Sequence, residues 1–170
     1  MEYLWLAGVS RVGKATLARA LQEDAEQREL LGVRGPVSIV GASEAGTPQR
    51  FDIEKLEAPY AVKTLVIKWQ FANARRGDVR TLMRRFPLAT HRILVLEAEP
   101  EEVLRRWQES SRAYLRTTSD EARRQQLDDE TRELEMHLFA TPPPPGLTIN
   151  RVSRDGTHFV MRDGESSSLV

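Results

Sequence analysis

Residues Gly8-Val9-Ser10-Arg11-Val12-Gly13-Lys14-Ala15-Thr16 constrain this chain more than any other stretch, because an apolar run leads into them and an amphipathic one leads out. Tyr3-Leu4-Trp5-Leu6-Ala7 reads as a buried strand ending at the first glycine. Leu17, Ala18, Ala20, Leu21 and Ala25 then recur at helical spacing. A glycine-rich turn between a strand and a helix can aim several backbone N–H groups into one concavity, and Lys14 adds a positive charge beside it. The helix contributes its own unbonded N-terminal N–H groups and the positive end of its dipole. Such a concavity suits phosphate, with Gly8, Ser10, Arg11, Val12, Gly13, Lys14, Ala15 and Thr16 as its wall. The competing reading is a strand-turn-helix corner whose glycines serve only packing.

The spacing follows GxxxxGK[ST] except at its last position. Ala15 stands where a magnesium-binding hydroxyl is expected, and Thr16 is the nearest hydroxyl. Taken alone, the residues leave Mg2+ to water and to a carboxylate elsewhere. Two acids follow apolar runs and are candidates: Glu44 after Pro36-Val37-Ser38-Ile39-Val40, and Glu97 after Ile93-Leu94-Val95-Leu96.

At 170 residues the chain suits one domain with a full core, over 1–164, with 165–170 as a disordered tail. It has no cysteine, which excludes disulfides, thiolate metal sites and cysteine nucleophiles. The apolar start is short, follows Glu2 and is interrupted by Ser10 and Arg11, which fits neither a signal peptide nor a membrane span; a cytoplasmic protein is the expectation. Lys plus Arg and Asp plus Glu stand at 25 each, so no whole-molecule field draws nucleic acid.

Further along, Thr64-Leu65-Val66-Ile67 reads as a β-branched strand, and Asp78 as the cap of a helix carrying Val79, Leu82, Met83 and Phe86. Ile93-Leu94-Val95-Leu96 has the continuous apolar character of a strand buried on both faces. Pro100-Glu101-Glu102 opens a helix, with acids at the positive end of its dipole. Thr118-Ser119-Asp120-Glu121 has capping-box form and opens a charged helix running to about Phe139. Leu147-Thr148-Ile149 supply a late strand, and Asp155-Gly156 a hairpin turn returning through His158-Phe159-Val160-Met161. The alternation predicts an α/β fold: a parallel sheet of about five strands covered by helices on both faces, with ligand at the carboxyl ends of the strands.

On the loop Gly8 to Thr16, the segment Thr64 to Phe86 and the strand-helix unit Ile93 to Arg106, the chain resembles the small P-loop kinases of the nucleoside and nucleotide kinase group. The register Gly-Lys-small-Thr is similar to the loop of adenylate kinases, and to some guanylate-kinase-like enzymes. The resemblance implies a P-loop NTPase fold with a small helical lid at about 108–120, ATP and Mg2+ as cofactors, and a small-molecule phosphoryl acceptor that is nucleotide-like or a sugar phosphate. It gives Thr16 the hydroxyl role at the metal and Glu97 the form of a Walker B acid.

Phosphoryl transfer is chiefly alignment and charge neutralisation, so cations matter most. Lys14 is placed for the β- and γ-phosphates, and Arg112 and Arg116 for a lid that closes over them. Arg75, Arg76 and Arg80 suit a phosphate-bearing acceptor, with Trp69 as a stacking surface and Glu44 as an acid nearby. The second reading is a P-loop nucleotide-binding protein without turnover, acting as a switch or an assembly subunit; Ala15 and the absence of an acid after Thr64-Leu65-Val66-Ile67 favour it. His91, His137 and His158 lack metal-ligand spacing, and neither a GxSxG elbow nor an HExxH helix is present.

Overall fold

Every residue of strand β1 (Glu2–Ala7) is buried, which a strand achieves only with partners along both edges and packing on both faces. The computed structural model describes residues 1–41, 46–47, 50–51, 62–68, 76–110 and 117–162. Glu44, Trp69, Arg75, Arg112, Arg116 and the tail 165–170 lie outside these residues, as do residues 111–116 of the expected lid.

Among the described residues β1 sits inside a six-stranded sheet of order β2-β5-β1-β6-β7-β8. The other members are β2 (Val37–Gly41), β5 (Thr64–Lys68), β6 (Thr90–Glu97), β7 (Leu147–Asp155) and β8 (His158–Met161). The first five in that order run parallel, and β8 turns back antiparallel on β7 through the hairpin that Asp155-Gly156 predicted. Two short strands, β3 (Gly46–Thr47) and β4 (Arg50–Phe51), pair separately and were not anticipated from sequence.

Helix α1 (Lys14–Glu23) buries Leu17, Ala18 and Leu21 of the stripe that the spacing predicts, while Ala20 is half-buried and Ala25 is exposed beyond its end. The expected continuous first helix is in fact two. Asp24 has extended backbone, and its carboxylate accepts from the Glu26 N–H, which caps α2 (Ala25–Leu30). Helix α3 (Arg76–Arg85) begins ahead of Asp78, so that residue lies within the first turn rather than capping it.

Helix α4 (Pro100–Gln108) buries Val103, Leu104 and Trp107, with proline in its first turn. Helix α5 (Asp120–Leu134) is capped by Ser119, whose hydroxyl accepts from Ala122 N at 3.2 Å, rather than by Thr118. It continues as a π-helical turn over Glu135–Phe139, where Arg151 stacks 3.7 Å from the Phe139 ring centroid.

Two buried polar contacts fix the sheet's periphery. Glu2, 4% exposed, pairs with Arg92 at 2.9 Å and accepts from Thr64 Oγ1. Gln27, 1% exposed, uses both ends of its amide on β8: Nε2 donates to Phe159 O and Oε1 accepts from Phe159 N, each at 2.7 Å. The side chain thereby stands in for a neighbouring strand.

The sheet has its topological switch at β1, which pairs with β5 on one edge and β6 on the other. A ligand in an open α/β sheet binds outside the strand ends at that switch, and the loop Gly8 to Thr16 leaves β1 there.

Candidate phosphate site

The loop is pressed against β6. Gly8 has φ 147°, and a Cβ on it would lie 2.7 Å from Leu96 O and 2.8 Å from Val12 Cγ1, so no side chain fits without moving backbone. Gly13 has φ 114° and is the N-cap of α1; no side chain caps that helix end and no acid occupies its first turn. The first helical bond is Leu17 N to Gly13 O at 3.0 Å. The N–H groups that precede it, and the dipole behind them, face the loop without a built-in anion at the cap. Arg11 holds φ 65°, a left-handed conformation that a non-glycine residue keeps only when its surroundings fix it.

Those surroundings are side chains that take up the loop's carbonyls. Lys14 Nζ donates to Gly8 O at 2.6 Å and to Val9 O at 2.9 Å. Trp107 Nε1 donates to Ser10 O at 3.0 Å, and Arg106 donates to Val12 O at 2.7 Å and to Arg11 O at 3.4 Å. Arg11 itself reaches the Ser110 hydroxyl at 2.7 Å. With the carbonyls of residues 8–13 all accepting, what the backbone retains for a ligand is N–H groups other than those of Ser10 and Val12, which donate to Glu130 and to Val9 O. That is the arrangement an oxyanion requires.

Burial pushes the Lys14 ammonium down to about 8, opposed by the negative charge of Glu130. The lysine is still mostly protonated at neutral pH, and it occupies a position where a polyphosphate would repay its lost hydration.

Glu130 is the residue that sequence reasoning missed. It lies on the buried stripe of α5 with Arg123, Leu127 and Leu134, and is 8% exposed. Its Oε2 accepts from Ser10 N at 2.7 Å, and its Oε1 accepts from Ser10 Oγ at 3.1 Å and Gln126 Nε2 at 2.9 Å. The available signal was an acid in the inward stripe Leu127, Glu130, Leu134, Leu138, a position that an apolar residue ordinarily fills. Trp107 is fully buried in the core, and both it and Arg106 grip the loop from α4. Arg105 does remain surface, pairing with Glu102 and Glu109.

Thr16 and Ala15 are exposed on the first turn of α1. Glu97 ends β6 as expected, but its two oxygens accept from Arg151 and Arg162. Arg151 also forks onto Glu135 at 2.8 and 3.0 Å. Arg80 is exposed on α3, and Arg76 opens that helix. Among the described residues no group of three His, Asp or Glu could hold a metal ion.

Beside the loop lies an open cleft of about 470 Å³, lined by Glu97, Glu99, Glu102, Arg106, Ser153, Arg154 and Arg162 among others. It shares Arg106 with the loop. No described helix is long and apolar enough to cross a membrane.

No protein-family model matches the sequence, and no curated protein does. Among solved structures the chain is similar to the shikimate kinase from Bacteroides thetaiotaomicron, with a TM-score of 0.51 at 16% identity over 79% of this chain and 80% of that one. A gluconokinase from Sinorhizobium meliloti 1021 aligns at a TM-score of 0.48 and 12% identity, over 91% of this chain and 84% of its own. The PezAT toxin-antitoxin system of Streptococcus pneumoniae aligns at 0.48 and 17%, over 98% and 74%. The shikimate kinase likeness shows the fold: an α/β chain whose sheet and helices are arranged as in that enzyme.

Proposed function

We propose that the chain is an ATP-dependent phosphotransferase that moves a γ-phosphoryl group to a small nucleotide-like or sugar-phosphate acceptor. The observation that carries this reading is the loop itself: its carbonyls all accept, two of them from Lys14, and its N–H groups other than those of Ser10 and Val12 lie at an uncapped helix start. The residues fit a nucleotide polyphosphate: loop glycines at positive φ, an uncapped helix start, and a cleft of about 470 Å³ that reaches the loop's anchor Arg106, within the range of small-ligand sites.

Lys14 would leave the carbonyls of Gly8 and Val9 for the β- and γ-phosphates, and its charge would offset the charge that develops in transfer. The chemistry that Mg2+ would supply when bound is withdrawal of charge from the phosphates. The Thr16 hydroxyl is the group this chain offers the metal, with water completing its shell. Glu97 would serve only by releasing Arg151 or Arg162. Arg112 and Arg116 are proposed to close over the phosphates, and Arg75, Arg76, Arg80, Trp69 and Glu44 to receive the acceptor.

Ala15 favours a second reading, a nucleotide-binding protein without turnover. Incubation with γ-labelled ATP, Mg2+ and a panel of nucleotides and sugar phosphates separates the two. Label should pass to one acceptor class, and Lys14→Met should abolish the transfer. Label that stays on ATP while ATP binds would overturn the kinase reading and leave the second standing.

A further inference from the structure

We propose that Glu130 is a built-in competitor for the phosphate loop, an anion of the protein's own that occupies Ser10 until a polyphosphate displaces it. The inference depends on the phosphate-binding reading above and concerns what guards that same site. A carboxylate buried to 8% exposure ordinarily needs a cation in contact or a full set of donors. Glu2 and Glu97 have arginines. Among the described residues the hydrogen-bond donors to Glu130 are neutral: the Ser10 amide, the Ser10 hydroxyl and the Gln126 amide. The compensating positive charge comes from the loop, through Lys14 and the start of α1. Glu130 is thus stabilised by the groups that would stabilise phosphate.

A bound polyphosphate brings at least two negative charges to the same few ångströms. Two anions cannot share those donors in a poorly solvated site without strong repulsion. Glu130 must therefore leave when phosphate arrives, and it rides on α5. Trp107 on α4 and Glu130 on α5 hold the same loop residue, Ser10, by its carbonyl and its N–H. Displacement of Glu130 from Ser10 couples occupancy of the loop to α5, the helix that carries it.

The test uses the full-length chain and inorganic tripolyphosphate, followed by Mg2+–ATP, titrated by calorimetry into the wild type and Glu130→Gln. Glutamine retains a hydrogen-bonding shape for Ser10 and removes the charge. The proposal predicts that Glu130→Gln binds both probes tighter by about tenfold or more. Equal or weaker binding by the variant overturns it while leaving the phosphate site intact. Binding by the variant alone supports it in its strongest form. Absence of binding to either protein overturns both the inference and the reading on which it depends.

A second measurement needs no variant. Amide hydrogen exchange in residues 127–134 of the wild type should accelerate on saturation with tripolyphosphate. Unchanged exchange in a saturated protein overturns the coupling to α5.

Discussion

Replacing Lys14 by methionine should change the shape of the stability curve against pH, and the direction follows from burial. In the fold the ammonium titrates at about 8, against an ordinary 10.5. The unfolded chain therefore holds this proton up to about 10.5, while the folded chain releases it near 8. Between those values the unfolded state binds more protons, so stability rises with pH. At 1.36 kcal/mol per tenfold in proton affinity, the rise amounts to at most about 3 kcal/mol, of which about 1.4 kcal/mol falls between pH 7 and 9. Lys14→Met has no proton to lose there. Urea denaturation of both proteins at half-unit steps from pH 7 to 9.5 isolates the effect, because the other titrating groups cancel in the difference. The gap should move in favour of the wild type by about 1.4 kcal/mol over pH 7 to 9. Parallel curves would mean that Lys14 is hydrated in the fold, and the argument that a buried charge awaits an anion would fail. Polyphosphate affinity of the wild type should fall as pH rises through about 8, where the lysine loses its charge.

Gly8→Ala should cost at least about 2 kcal/mol of stability in the same urea assay, since the new Cβ meets Leu96 O at 2.7 Å at a φ of 147°. Gln27→Leu strands both the N–H and the C=O of Phe159 and should lower stability by about 2–5 kcal/mol, with hydrogen exchange accelerating first in β8. Trp107→Phe removes the donor to Ser10 O; calorimetry should read a several-fold weaker nucleotide affinity, and denaturation a loss of about 1 kcal/mol. Glu97→Gln should loosen the Arg151 and Arg162 contacts and lower the melting temperature, while the Mg2+ dependence of ATP binding stays unchanged; loss of that dependence would return Glu97 to the metal.

The sheet was legible because its strands are continuous apolar runs and its loop has a fixed glycine spacing. Tyr3 to Ala7, Thr64 to Ile67 and Ile93 to Leu96 all fall inside observed strands, and the Asp155-Gly156 hairpin forms as its turn chemistry requires. The break at Asp24 was hidden because an aspartate inside an apolar-periodic stretch looks like surface until its carboxylate is seen capping Glu26 N. In the site the backbone part was readable, being local in sequence. The carbonyl anchors were not, because Arg106 and Trp107 reach the loop from 94 to 97 positions away. Glu130 reaches Ser10 from 120 positions away, and a lone acid in a helical stripe does not reveal what it faces. Arg123, on the same stripe, resembles it in sequence, yet it pairs with Asp120 on its own helix.

The proposed site requires the backbone amides around Gly13 to receive phosphate. Amide nitrogen and proton chemical shifts of Gly13, Lys14, Ala15 and Thr16, followed by NMR as Mg2+–ATP is added, test it most directly. These four amides should move together, well beyond those of β2 or α3, and saturate at one nucleotide per chain. Shifts that stay flat, or that scatter over the surface without saturating, would contradict it.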